Sequence, residues 1–265
     1  MPRLLWEIAR RSFRRASHYR LATAAGVFVN TVFGYLRASV LLVVAARAGG
    51  EVRGLDQVDL ATFAFVSQGF IMVVGIFGDR ELAQRIRTGD VVIDLYRPAD
   101  LQLWFLAIWL GRAGFQVLAR GIPPVLLGAL AFDLRWPDPW WHWAVFVVST
   151  LMASIIGFGI RFCSNLVAFW LLDNRGVEQM VTMTVNFFTG LLLPIDLFPP
   201  WLEALARALP FPSMLQYPVD VFLGRVSGWA LVWLLTQQLA WVVAMLALGR
   251  LILASATRRV VVQGG

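Results

Sequence analysis

The chain has 265 residues, of which 59% are hydrophobic and only 15% are charged. A soluble domain carries roughly 25% charged residues, so this composition indicates a membrane protein. The formal net charge is +7 and every basic residue is arginine, which excludes a phosphate-binding P-loop and a lysine Schiff base from this chain. The single cysteine, Cys163, excludes an internal disulfide framework and a cysteine metal cluster.

Residues 1–20 predict an amphipathic helix at the membrane surface. On a helical wheel Leu4, Leu5, Ile8 and Ser12 share one side. A helix of this kind lies in the headgroup layer, where its arginines reach anionic lipid. We therefore assign contacts with the membrane surface to four arginines: Arg10, Arg11, Arg14 and Arg15.

Six apolar segments follow, and each is long enough to be a membrane span. They cover residues 21–46, 60–77, 101–132, 144–172, 180–198 and 229–253. The sequence therefore predicts one all-α integral membrane domain over residues 1–265, with six transmembrane helices.

The third segment, 101–132, is longer than one upright span requires. Its 32 residues would make a helix of about 48 Å at 1.5 Å per residue, whereas two spans need roughly 40 residues. We predict a single helix with a cytoplasmic extension and a break at Pro123-Pro124, because proline interrupts the hydrogen-bond ladder of a helix.

Arginine counting gives the orientation. With the N-terminus inside, the predicted cytoplasmic segments hold 14 of the 23 arginines and the external loops hold five. This bias supports six spans with both termini in the cytoplasm, and it explains the positive charge without a nucleic-acid partner. Residues 78–98 are then a cytoplasmic segment, and 199–227 an external hairpin.

The segment 78–98, GDRELAQRIRTGDVVIDLYRP, is either a solvated connector or a docking surface. Its first half can form a short helix in which Glu81 pairs with Arg85, Leu82 and Ile86 share a face, and Gly89 caps the end. A helix that docks in a groove uses such aliphatic side chains as anchors and its charges to set the register. The predicted docking residues are Arg80, Glu81, Leu82, Arg85, Ile86, Arg87 and Asp90.

Four arginines lie inside the predicted spans: Arg37, Arg112, Arg120 and Arg161. A charge at mid-membrane costs about 2.5–3.5 kcal/mol, so each must be paired, snorkelling or facing water. Arg161, in GFGIRFCSNLVAF, is predicted to be the deepest. It is interpreted either as part of a conduit wall or as an interhelical anchor, and both interpretations stay open.

No catalytic constellation is found in the sequence. His18 and His142 lie outside the spans, no GxSxG or HExxH motif is present, and no cluster has metal-ligand spacing. The acidic residues avoid the span centres, which disfavours an ion-coupled transporter. We therefore predict no catalytic, cofactor or metal site in this chain. An intramembrane enzyme, such as a lipid-modifying transferase, and a secondary transporter are the alternatives.

The external segment 199–227 is hydrophobic and contains five prolines. Trp201, Leu202, Leu205 and Leu209 form one side of a short amphipathic piece. This pattern predicts short helices that enter part of the outer leaflet, where irregular backbone must be shielded by protein or by a water-filled cavity.

Together these features resemble the type-two ATP-binding-cassette (ABC) exporter permeases. Residues 86–90, IRTGD, and 95–101, LYRPADL, are similar to a signature of a subfamily of uncharacterised bacterial permeases. Residues 190–194, GLLLP, with 198–202, FPPWL, and 209–210, LP, are similar to the fifth-span and hairpin motif of the family. The resemblance covers essentially the entire chain.

The resemblance implies an ATP-driven exporter subunit in a bacterial inner membrane. Two such permeases, identical or homologous, form a dimer, and each docks a cytoplasmic ATPase subunit through a short coupling helix, giving two ATPase copies per complex. ATP and Mg²⁺ are then bound by the partner ATPase and not by this chain. An amphipathic or lipid-like substrate is expected, and membrane lipids surround the spans.

Overall fold

The structure, a computed structural model, describes residues 1–171 and 173–263. The chain begins with a 16-residue helix, a 28-residue helix and a small hairpin of two strands. In chain order the elements of this part are α1 (Pro2–Ser17), α2 (Arg20–Arg47), β1 (Glu51–Val52), β2 (Leu55–Asp56), α3 (Gln57–Val73), α4 (Glu81–Thr88), α5 (Val91–Leu95), α6 (Leu101–Gln116), α7 (Ile122–Gly128), α8 (Trp141–Leu166), α9 (Arg175–Phe188), α10 (Pro200–Arg207), α11 (Gln216–Phe222) and α12 (Gly228–Gln263).

Four helical stretches of the described residues are long and apolar enough to cross a membrane. They are Arg20–Arg47, Leu101–Gly128, Trp141–Phe169 and Gly228–Arg258. These stretches correspond to the first, third, fourth and sixth predicted spans, and the predicted end of the fourth, Leu172, lies outside the described residues. The prediction of a helical membrane protein is confirmed, whereas the count of six spans stays a prediction.

Helix α3 occupies the second predicted span and lies at the centre of the fold. It has 17 residues, of which 14 are buried, and it packs against α2, α6, α7 and α11. Its N-terminus carries a capping box in which Asp56 and Asp59 satisfy each other's backbone N–H groups. Burial on nearly all sides explains why the segment is apolar without an amphipathic pattern.

The predicted limits of the fifth span were wrong. Helix α9 begins at Arg175 and ends at Phe188, so it is about 21 Å long at 1.5 Å per residue. It stops because Gly190 takes a left-handed conformation with φ of 87°, and a 3₁₀ turn follows at Ile195–Leu197. The glycine and Pro194 therefore turn the chain where a continuous helix was expected.

The third span is irregular directly before the predicted prolines, while the stretch Leu101–Gly128 stays helical throughout. A π-helical turn, Val117–Gly121, separates α6 from α7. Pro123 and Pro124 have no N–H group, so the carbonyls of Ala119 and Arg120 lose their usual donors, and the backbone widens locally.

Helix α1 packs along α6, so one of its faces is covered by the protein. The Ser12 hydroxyl donates to the Ile108 carbonyl at 2.7 Å, and Phe13 meets Phe115 edge-to-face at 5.6 Å between ring centroids. The four arginines assigned to the membrane surface are all exposed: Arg10, Arg11, Arg14 and Arg15. Their contact with lipid stays a prediction.

The segment 199–227 forms short helices, as expected for its prolines. Helix α10 is followed by a 3₁₀ turn, Phe211–Met214, and by α11. Every residue of α11 is buried, and it packs against α8. Its irregular backbone is therefore shielded by protein, while its depth in the outer leaflet stays a prediction.

Candidate functional site

Helix α4 forms the first half of the charged segment 78–98. The Glu81 N–H donates to the Asp79 carboxylate at 3.1 Å, and Gly89 ends the helix with φ of 82°, which confirms the predicted glycine cap. The predicted pair of Glu81 with Arg85 was wrong. Arg85 instead donates to Asp94 on α5 at 2.5 and 2.9 Å, because the turn at Gly89 folds α5 back on α4.

Asn165 on α8 fixes the position of α4. Its side-chain oxygen accepts from the Ala83 N–H at 2.8 Å, and its amide nitrogen donates to the Asp79 carbonyl at 2.6 Å. Asn165 is buried, with 3% exposure. Because a buried polar group is costly to leave without a partner, these hydrogen bonds hold α4 and the C-terminal end of α8 together as one unit.

Arg161 joins three parts of the fold. Its guanidinium donates to the carbonyls of Gly75 and Ile76 after α3 at 3.0 and 2.6 Å. It also donates to Glu178 and Thr182 on α9, at 3.0 Å each. The side chains of Arg161 and Glu178 are each 1% exposed, so the ion pair is buried.

The carbonyl at Gly75 is available to Arg161 because of the turn that follows α3. Gly75 has φ of 64°, and a Cβ there would lie 2.2 Å from the Trp109 ring. Only glycine satisfies both conditions. This turn leads directly into Asp79 and α4.

The expectation that Arg161 is the deepest of the four arginines stays a prediction. It is 20 residues after Trp141, the first residue of α8, which is about 30 Å along the helix. Arg161 therefore lies towards the C-terminal end of α8, near Asp79. Its contacts are those of an interhelical anchor, and a role in transport stays a proposal.

The structure divides the predicted docking residues. Arg80, Glu81, Arg87 and Asp90 are exposed, while Arg85 and Ile86 are half-buried. Leu82 is only 4% exposed and belongs to the central core, so its assignment as a docking anchor was wrong. The apolar face of α4 points into the chain's own interior, towards α6 and α8.

Two exposed apolar residues were missed by the sequence-based prediction, one on α5 and one directly after it. Ile93 is 61% exposed and Tyr96 is 86% exposed. Neither is among the predicted docking residues. Tyr96, an aromatic residue beside Arg97 and Pro98 in a charged segment, was the available signal.

Glu178, Asn165 and Thr182 were also missed as functional candidates. They lie near the ends of predicted spans and carry no motif of their own. The available signal was the requirement that a buried arginine has a carboxylate partner.

The other arginines of the predicted spans also have partners. Arg37 donates to Ser67 at 2.7 Å, Arg112 pairs with Asp79, and Arg120 donates to the Ala22 carbonyl at 2.5 Å. Arg112 is therefore the one of the three that pairs with a carboxylate, while Arg37 and Arg120 bond to neutral oxygens and each keeps one buried guanidinium nitrogen without a partner.

A second polar cluster holds the segment 199–227 together. Asp196 accepts from Arg207 at 2.7 Å and from Arg225 at 2.8 Å, and Gln216 donates to Asp196 and Asp220 at 3.1 and 3.0 Å. Burial raises the pKa of Asp220 to about 7. This carboxyl group therefore takes up a proton near neutral pH.

On the segment 78–98, the hydrogen bond to Asp94 raises the pKa of Arg85 above its ordinary value. Asp94 also pairs with Arg97 at 3.0 Å, so one buried carboxylate holds two arginines. Among the described residues, no group of three His, Cys, Asp or Glu side chains has the arrangement of a metal site.

Comparison with known proteins gives one result. A family model described as "ABC-2 family transporter protein" matches residues 33–264, which is most of the chain. No curated protein and no solved structure matches the chain.

Proposed function

The chain belongs to the ABC-2 transporter family, and on this premise we propose that it couples ATP hydrolysis by a separate subunit to the export of an amphipathic or lipid-like substrate. It is a multi-pass permease subunit of an ABC transporter. The partner ATPase supplies the nucleotide site, with its ATP and Mg²⁺, because this lysine-free chain cannot form a P-loop.

One observation carries the coupling part of the proposal. The short helix α4 is attached to the C-terminal end of α8 by Asn165, while Arg161 links the same end to the turn after α3 and to α9. A displacement of α4 therefore cannot stay local, because buried hydrogen bonds connect it with three helices.

The outer side of this segment has the properties of a docking surface. Ile93 and Tyr96 provide exposed apolar area, which is typical of the centre of an interface. Arg80 and Arg87, which precede them in the same segment, are also exposed and provide positive charge that sets the register of docking. We propose that these four residues, with Glu81, Arg85, Ile86 and Asp90 around them, receive the ATPase.

The remaining parts of the proposal come from the family resemblance and the arginine pattern. Two permeases, identical or homologous, assemble with two ATPase copies in a bacterial inner membrane. Both termini are cytoplasmic, and the exposed arginines of α1 contact anionic lipid. The external segment 199–227 forms the outer hairpin.

Co-purification tests this proposal. The tagged chain is isolated in mild detergent from its native membrane, and co-purifying chains are identified by mass spectrometry and assayed for ATP hydrolysis. We expect an ATPase that contains a P-loop. Replacing Ile93 and Tyr96 together by serine is expected to abolish its retention, because hot spots at interfaces are enriched in buried aromatic side chains.

The matched control is Trp6→Ser on α1, which removes a side chain of similar exposure, 68%, away from the segment. The control is expected to retain the ATPase. Equal retention by the Ile93/Tyr96 variant and by the unmodified chain would contradict the docking assignment. An active transporter that contains no ATPase would instead favour a secondary transporter.

A further inference from the structure

A polar cleft of about 380 Å³ lies between α4 and the start of α9. Arg80, Gln84 and Arg87 line it from the first cytoplasmic segment, and Asn174 and Arg175 line it from the connection between α8 and α9. Residues that are far apart in the sequence therefore build one site.

The charges of this cleft are not neutralised within the chain. Arg85 and Arg97, on the same segment, both pair with Asp94, whereas Arg80 and Arg87 make no ion pair within the described part of the chain. Arg175 pairs with Asp173 at 2.6 Å. Even with Asp173 ionised, the positive charges exceed the negative ones.

Asn174 provides an independent indication of a missing ligand. It is the N-cap residue of α9 without a side-chain capping bond, it is only 2% exposed, and its buried amide nitrogen has no acceptor. The first N–H of α9, that of Arg175, already donates to Asp173 at 3.0 Å. The Asn174 amide nitrogen is therefore the buried donor left unpaired here, and together with the arginines it favours an anionic oxygen acceptor.

We propose that this cleft receives a carboxylate side chain of the cytoplasmic ATPase, so that the subunit is held by both cytoplasmic connections of the permease. This inference rests on the proposed function. We infer a protein carboxylate rather than a lipid phosphate because Arg80 and Arg87 of the lining belong to the surface proposed above to receive the ATPase.

Such a contact has a mechanical consequence. One carboxylate bound to both α4 and the start of α9 would move these two elements together. Helix α9 carries Glu178, the partner of Arg161. A movement of the ATPase would therefore be transmitted to α8 both through α4 and Asn165 and through α9 and Glu178. The ATPase would then act on the buried Arg161 contacts from two sides.

The absence of lysine from the chain permits a direct test. We would prepare Arg80→Lys and Arg87→Lys separately and purify each with its ATPase. A water-soluble carbodiimide then joins an amine and a carboxylate in contact as an amide, and the carboxylate oxygen leaves on the reagent as a urea. Apart from the N-terminus, the introduced lysine is the one amine of the permease.

The expected product is an amide between Lys at position 80 or 87 and an Asp or Glu of the ATPase, identified by peptide mass spectrometry. Arg10→Lys on α1 is the matched control, because its neighbour is Glu7 of the same helix. It should give the internal link and little intermolecular product. Reversing the charge with Arg80→Glu and Arg87→Glu together should weaken ATPase retention by roughly tenfold or more.

Three outcomes overturn the inference. Links from positions 80 and 87 only to Asp173, a product with a lipid phosphate, or no intermolecular link while the ATPase is bound would each exclude the carboxylate contact. In the last case the proposed function stands and only this site fails. If no ATPase co-purifies even with the unmodified chain, the proposed function fails and the inference fails with it.

Discussion

Removing either partner of the buried pair Arg161–Glu178 should destabilise the protein strongly. Arg161→Met leaves the Glu178 carboxylate, 1% exposed, without its counter-charge, and it leaves the Ile76 carbonyl without its donor, whereas the Gly75 carbonyl keeps the Gly78 N–H at 3.0 Å. Breaking a buried ion pair from one side costs about 3–5 kcal/mol. For a protein of this size that corresponds to a fall of about 6–20 °C in Tm.

The double variant, Arg161→Met with Glu178→Met, separates the pair from other effects. Replacing both members of a buried ion pair by apolar residues is often nearly neutral, although the Ile76 carbonyl, left without a donor, still costs about 1–3 kcal/mol. We therefore expect the double variant to be clearly more stable than the sum of the single effects predicts, with a coupling energy of about 2 kcal/mol or more.

Thermal unfolding of the purified protein in detergent measures this cycle. The exposed pair Arg10–Glu7, with side chains 48% and 47% exposed, is the matched control. Its removal should change stability by about 1 kcal/mol or less. Additive effects at Arg161 and Glu178, or single losses as small as those of the control, would refute the argument that this pair holds α8, α9 and the turn after α3 together.

Two further predictions concern the segment 199–227 and α1. The folded-state pKa of Asp220 is raised to about 7, so its contribution to stability is fully present below its unfolded pKa of about 4 and is lost as pH rises through 7. Unfolding measured at pH 5, 6.5 and 8 should therefore show the wild type losing stability relative to Asp220→Asn, and parallel curves would contradict this. On α6, Gly111→Ala should loosen α1, because its Cβ would lie 2.0 Å from the Ala9 carbonyl oxygen, whereas Gly114→Ala should be tolerated with its nearest contact at 3.8 Å. Limited proteolysis of α1 compares the two variants, and equal cleavage would exclude the close approach.

Local rules predicted the elements that depend on local chemistry. The glycine cap at Gly89 and the irregular turn before Pro123-Pro124 follow from backbone conformations and donors that the residue type alone determines. The end of α9 follows from the same rule at Gly190, but the apolar residues around it concealed the turn. The length of an apolar segment indicates where a membrane span is possible, but it does not predict where the chain turns within that segment.

The sequence by itself determined that the chain is a helical membrane protein, that all of its basic residues are arginine, and that it contains no P-loop. These conclusions depend on composition, length and the presence of single residue types, which need no fold. Only the tertiary structure decided which residues meet. Leu82 is buried because α4 packs on α8. Arg85 pairs with Asp94 because the turn at Gly89 brings α5 back to α4. Arg161 lies towards the C-terminal end of α8, where it pairs with Glu178 of α9. Partners that are distant in the sequence are chosen by packing and by the cost of leaving a buried charge or donor unsatisfied.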